Sequence, residues 1–517
     1  MHTRSKYLIA LMAALALFPV GLDSFIVNVA IVPISRALRT DVDVVQWIVI
    51  GYLLANAAMT PLSGYLGNRF GVKRLLLLGV VLFTLFSFLC GIAVNQTWLV
   101  AFRVLQGIGG GLLLPLGAAI ALSQFPEEER AKGMGAVALP ILLAPVLGPV
   151  VGGLIIDHLN WQAIFFINVP VGAIALFLNW RILPDDPVQP AQARARFDYL
   201  GLALVMAGVV LVVYAFKLVS QTNPSSRTAL QPEGSMYGWG YWLVWFLLSL
   251  GLALLAAFSV HSLRGDDPVV DLRLFRTRNF SLSNLAQWVQ ATLSFGMLFL
   301  LPVYLQELRL PTLSPLHTGL ALLPMGLATI VGLGLGAWLY RLVGTRLLVA
   351  AGGALMAVAS WQLGTLDPTT PIASLSPWLA VIGLSTTLLA LPTQTLALQP
   401  YTGEALNKAT SLVTAAKLLF GAIGPAILVT FYEQQTIWHA QRLGAAAGHA
   451  AAGALTAQAR ALLASQAGTS ALHDVFVVLG YVSLIIVALA LFLPGRQATS
   501  QEAPVQQDLP SGQAVAV

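Results

Sequence analysis

In this chain of 517 residues, 57% are hydrophobic, only 9% are charged and the mean hydropathy is +0.81, far from the roughly 25% charged residues of a soluble domain, so a soluble fold is excluded. The net charge of +6 is spread over short loops rather than gathered in a patch, which argues against nucleic acid as a partner and reads as membrane topology. The one cysteine, Cys90, lies inside an apolar run, so disulfides are excluded and the thiol reads as core.

The hydrophobic excess falls into separate runs of about 20 residues, each long enough to cross a hydrocarbon core of about 30 Å as a helix. Spanning segments must satisfy their own backbone hydrogen bonds, so the expectation is an all-α integral membrane protein. The start, MHTRSKYLIALMAALALF, has the basic head and apolar run of a secretory signal. That run continues to about Ile34 with no cleavage site before a soluble domain, and reads as an uncleaved first span. Further spans are expected at about 45–66, 75–94, 98–123, 132–156 and 161–182, then a pair at 198–219 and 239–262 between polar linkers at 183–197, 220–238 and 264–279. Six more follow at 280–305, 315–340, 346–366, 375–398, 405–432 and 474–494, making fourteen transmembrane helices. Alternate loops carry most of the Lys and Arg, among them Arg69, Lys73, Arg74, Arg273, Arg276 and Arg346, which puts both termini in the cytoplasm.

A repeat organises these spans. Gly64–Arg74, GYLGNRFGVKR, recurs as Gly336–Arg346, GAWLYRLVGTR, with one residue inserted, and Gly148-Pro149 recurs as Gly424-Pro425 at nearly the same offset. Two six-helix bundles, 1–182 and 280–495, separated by a linker with two inserted helices, 183–279, are the economical account. The stretch 433–473 is Ala-rich and expected to be helical and exposed, with docking of a periplasmic adaptor as the second reading. The tail, 496–517, is polar and expected to be disordered.

In this order the motifs resemble the major facilitator superfamily, specifically its fourteen-span drug:proton antiporter branch of the EmrB/QacA type. Gly64–Arg74 is similar to the branch's span 2–3 signature, with Gly64, Arg69, Gly71, Lys73 and Arg74 in place. Arg103 to Gly109, RVLQGIG, resembles its span 4 motif, and Gly148, Pro149, Gly152 and Gly153 its span 5 motif. WQAIFFINVP, Trp161 to Pro170, resembles the start of span 6, and the first span pattern is matched from Leu22-Asp23-Ser24 to Asn28-Val29-Ala30. Two positions depart. Asn68 replaces the usual acid of the span 2–3 signature, and Lys417 stands where an arginine is common, keeping the charge but losing a bidentate fork. The resemblance implies proton-coupled export of lipophilic, in part cationic, small molecules by alternating access, with no cofactor beyond the proton gradient.

Asp23 is the carboxylate set deep inside an apolar span. Such an acid has to be compensated, and serves either as a proton or cation site or as a structural hydrogen-bonding group. Arg103, with Gln106 and Gly107 one turn on, is implied by the resemblance to act in coupling; the alternative is an arginine snorkelling to fix span depth. Ala144, Gly148 and Gly152 form a small-residue stripe, interleaved with Pro145 and Pro149, that suits a deformable seam between halves. Lys417 is mid-span and reads as paired or water-facing, Lys217 as snorkelling, and Glu307 and Asp157 as rim acids able to attract cations. Trp47, Tyr52, Trp288, Phe295 and Phe299 either stack on a lipophilic substrate or simply pack. Export of one metabolite, such as an amino acid, sugar or siderophore, is the alternative function. A membrane scaffold is a further reading, and an intramembrane enzyme finds no clustered histidines and no HExxH or GxSxG motif.

Overall fold

The computed structural model describes residues 3–125, 130–183, 198–221, 237–265, 268, 270–446 and 457–495. The first bundle comprises α1 (Thr3–Leu38), α2 (Val42–Phe70), α3 (Val72–Gly91), α4 (Gln96–Ser123) and α5 (Arg130–His158); its sixth span is a short α6 (Ala163–Phe166) continued by α7 (Asn168–Ile182). The inserted pair is α8 (Tyr199–Ser220) and α9 (Trp242–Arg264). A 3-10 turn, Leu272–Arg276, leads into α10 (Arg278–Val303), which runs into a π turn at Tyr304–Leu308. α11 (Pro315–Leu363), α12 (Ile372–Leu398), α13 (Gly403–Ala446) and α14 (Ala457–Leu491) complete the second bundle.

Twelve helices among the described residues are long and apolar enough to cross a membrane, against the fourteen expected. The expected spans 315–340 and 346–366 are joined in the 49-residue α11, which leaves helical geometry at Gly344. At about 1.5 Å per residue α11 is more than twice as long as a bilayer core is thick, so it supplies two crossings with Gly344 as the turn. α5 contributes a shorter described apolar stretch, Leu143–His158.

Gly344 and Gly71 hold corresponding places in the two copies of the basic turn, and both sit at positive φ, 75° and 92°. A side chain there costs about 1–2 kcal/mol. Two residues on, Lys73 Nζ donates to the Leu183 carbonyl just past α7 (2.5 Å), and Arg346 Nε donates to the Leu493 carbonyl just past α14 (2.8 Å). Each basic turn thus ties down the last span of its own half. Gly344→Ala is expected to lower the thermal unfolding midpoint of the purified protein. Gly334→Ala, a helical site where an added Cβ meets nothing within 4 Å, should leave it unchanged or raise it.

The repeat extends to packing. Gly148 lets α5 press on α1, where an added Cβ would lie 2.6 Å from Phe25 Cβ, and Gly424 lets α13 press on the Thr292 carbonyl of α10. α8 leans on α2 and α13: Thr430 Oγ1 donates to the Phe216 carbonyl (3.1 Å) and the Trp47 and Tyr214 rings are 6.3 Å apart. α9 crosses α8 at Gly208 and Gly251 and leaves Trp242, Trp245 and Phe246 exposed, as a lipid-facing helix would.

The stretch 433–473 is helical wherever it is described, because α13 runs to Ala446 and α14 starts at Ala457. Its expected exposure is corrected for the α14 part. Ala467, Ala471 and Leu472 are buried, and Ser465 Oγ donates to the Leu308 carbonyl (2.5 Å), since the small residues of this segment let it pack on the π turn. Residues 447–456, most of the linkers 183–197 and 220–238, and the tail 496–517 lie outside the described residues.

Candidate functional site

Two glycines, Gly107 of the span 4 motif and Gly111 one turn on, bring α4 against α2. An added Cβ at Gly107 would lie 2.5 Å from the Tyr52 carbonyl oxygen, and one at Gly111 would overlap that of Asn56. The close approach carries Arg103, one turn earlier, under the Tyr52 ring, with its guanidinium 4.3 Å from the ring centre. Across the bundle lies Asp23, in the middle of α1 and fully buried.

Arg103 Nη1 donates to Asp23 Oδ2 (2.5 Å) and to Gln106 Oε1 (2.8 Å), and Nε donates to the Ile48 carbonyl (3.2 Å). Asp23 Oδ1 accepts from Asn168 Nδ2 (3.2 Å) and, more weakly, from Gln106 Nε2 (3.4 Å). Asn168 also donates to Ser87 Oγ (3.0 Å), which donates to the Phe165 carbonyl (2.9 Å). Taking two charges out of water is repaid only when the remaining donors and acceptors are used, and here α1, α2, α3, α4 and α7 each supply a partner. With 1% of its surface exposed, Arg103 does not snorkel. Neither Asn168 nor Ser87 was singled out from sequence as a partner. The signal for Asn168 was present, because a buried amide in the WQAIFFINVP stretch has to find a hydrogen-bonding group.

Of the other residues noted from sequence, Tyr52, Gln106 and Cys90 join this cluster, Cys90 Sγ donating weakly to Gln106 Oε1 (3.7 Å), and the rest do not. Gly64 faces open space; Arg69 Nη1 donates to Tyr65 Oη (3.2 Å) and lies over Phe70; Arg74 is exposed, and the Asn68 side chain lies outside the described residues. On α5 the stripe of Gly148 and Gly152 meets α1 within its own half rather than the seam between halves. That seam is made by the adjoining face, where Pro145, Pro149 and Gly153 meet Gly326, Gly319 and Pro315 of the other half in backbone contacts that leave no room for a Cβ.

Of the rim acids, Asp157 has hydrogen-bond partners, at the end of the bundle away from the N-terminus. Asp157 Oδ2 of α5 accepts from Ser314 Oγ (2.6 Å) and from the Leu316 amide (3.2 Å), so one half caps the first turn of α11 in the other. Nearby, Arg36 Nη2 donates to the Gln306 carbonyl (3.1 Å), Gln306 Nε2 donates to the Val29 carbonyl (3.0 Å), and Arg36 faces Glu307 electrostatically. Among the aromatics, Trp47 carries Lys217 Nζ 5.6 Å from its ring centre, so Lys217 has an aromatic neighbour. Trp288 stacks on Phe420, Phe295 packs on Gly421 and Phe299 is fully buried.

The family model of the Major Facilitator Superfamily matches residues 13–425. A multidrug resistance protein B homolog of Mycobacterium tuberculosis is 31% identical over 507 residues, 94% of this chain and 90% of the relative. The multidrug export protein EmrB of Escherichia coli K12 is 30% identical over 432 residues, 83% and 80% of the two chains. The fold matches a crystal structure of a D-xylose-proton symporter with a TM-score of 0.64 at 14% identity, covering 95% of this chain and 99% of that one. A family model across most of the chain, together with relatives of this coverage, shows that the protein belongs to the major facilitator superfamily and is a multi-pass membrane transporter, not an enzyme.

Proposed function

We propose that this transporter exports lipophilic small molecules in exchange for protons, by alternating access between two bundles, residues 1–182 and 280–495, with 183–279 as an inserted flank. The observation that carries the reading is the buried Asp23–Arg103 pair with Gln106 and Asn168 around it. A proton arriving at Asp23 removes the counter-charge of Arg103, so the two protonation states demand different packing of α1 against α4. Coupling requires that difference, because a proton held equally in both conformations would shift nothing. Names of relatives as multidrug export and resistance proteins support the cargo class.

The clasp at Asp157, Ser314, Arg36 and Gln306 joins the halves at the end away from the termini. With the basic turns on the cytoplasmic side, that clasp supports an inward-facing state in the bacterial cytoplasmic membrane, both termini inside. Gly64, Asn68, Arg69, Gly71, Lys73 and Arg74 are then the inner hinge, Pro149 and Gly153 the contacts that slide between the halves, and Gly148, Gly152, Gly424 and Pro425 the small and kinked positions that hold α5 and α13 within their own bundles. Adding a transported dye to purified protein in weakly buffered solution is expected to release protons. A scaffold or a uniporter would release none, and that result would overturn the reading.

A further inference from the structure

We infer that the seam between α10 and α13 holds an anion-binding site built on Lys417, and that its occupant is the carboxylate of a lipophilic organic acid bearing a ring. The inference rests on the exporter reading above and names the class of its cargo.

Lys417 lies within the membrane-spanning part of α13 and makes no hydrogen bond, ion pair or ring contact with the described residues. Two other cations within the spans differ, Arg103 being paired with Asp23 and Lys217 lying over Trp47. A cation inside a bilayer without a counter-charge is costly and marks a site. Its direction follows from spacing: residues 417, 421, 424 and 428 share one stripe of α13, and Gly421, Gly424 and Leu428 meet Phe295, Thr292 and Gly296 of α10.

One turn along that seam, Trp288 of α10 stacks face to face on Phe420, ring centres 4.7 Å apart and planes 10° from parallel. Its indole Nε1 is buried with no hydrogen-bond partner. Buried donors are seldom left unmet, and an unmet one calls for a ligand or water. Lys417 stands one turn before Phe420 on α13, the unmet indole N–H belongs to the other ring of the stack, and α10 carries no Asp or Glu. The unmet amide oxygens of the same helix, Asn284 Oδ1 and Gln290 Oε1, are neutral, so the full charge at this seam is the ammonium of Lys417, which favours an anion over a cation, and the slab favours a ring beside it.

The test measures binding of three isosteric probes, 4-butylbenzoate, 4-butylbenzamide and 4-butylbenzylammonium, to the full-length protein in phosphatidylcholine nanodiscs at pH 8, by quenching of tryptophan fluorescence. The wild type is expected to bind the benzoate about tenfold more tightly than the amide, the size of one charge-assisted hydrogen bond, and the ammonium compound most weakly. Lys417→Gln should abolish the preference for the benzoate and leave the amide unchanged, while Lys417→Arg should keep it. Equal affinity for benzoate and amide in the wild type, or equal loss of all three probes in Lys417→Gln, would overturn the inference. So would loss of the benzoate when phosphatidylglycerol replaces the lipid, because the site would then belong to a lipid headgroup. No proton gradient is used, so failure of proton coupling and failure of the anion site are separate results.

Discussion

Asp23→Asn is expected to abolish proton-driven efflux while the protein still inserts as a multi-pass chain. Asparagine keeps the shape of the side chain and can still accept from Arg103, but it cannot cycle between charged and neutral forms. It also strands a buried guanidinium whose partner oxygen lies 2.5 Å away in the wild type. Breaking one side of a buried pair costs about 3–5 kcal/mol, so the variant should also melt earlier. The double variant Asp23→Asn with Arg103→Gln removes the stranded charge and should recover part of that stability without recovering efflux. Dye extrusion from energised vesicles and thermal unfolding of the purified protein separate the two effects. Normal extrusion by the single variant would refute the coupling role of Asp23.

Gly319→Val is expected to prevent the clasped end of the seam from closing. An added Cβ at Gly319 overlaps the Pro149 carbonyl oxygen, and a backbone oxygen cannot move aside as the end of a side chain can. Overpacking of this kind costs about 1–3 kcal/mol, so it shifts the balance between closed and open states by roughly five- to 150-fold. Val29, whose carbonyl accepts from Gln306, reports the change. In a Cys90→Ala background, Val29→Cys should react faster with an impermeant thiol reagent applied outside when Gly319→Val is present, and export should fall by about fivefold or more. Unchanged labelling and unchanged export would mean that α5 and α11 do not gate at this contact.

These contacts mark where sequence stops being legible. The apolar runs, the basic turns and the recurrence of Gly64–Arg74 at Gly336–Arg346 were readable because length, hydropathy and turn chemistry are local properties. For the same reason Gly71 and Gly344 could be placed at turns. Their shared positive φ and the carbonyls that Lys73 and Arg346 reach could not, because those carbonyls lie on spans distant in the chain.

The sequence by itself determined that this is a bundle of lipid-crossing helices in two related halves, with an acid in the first span and an arginine in the fourth. Only the tertiary structure decided that Asp23 and Arg103 meet, that Asn168 and Ser87 complete their shell, and that Asp157 clasps the opposite half instead of standing free at the rim. It also decided which of two adjoining small-residue faces on α5 meets α1 and which meets α11. The physical reason is that hydropathy is much the same all round a membrane helix, so nothing local says which neighbour a given face will meet; packing between helices makes that choice.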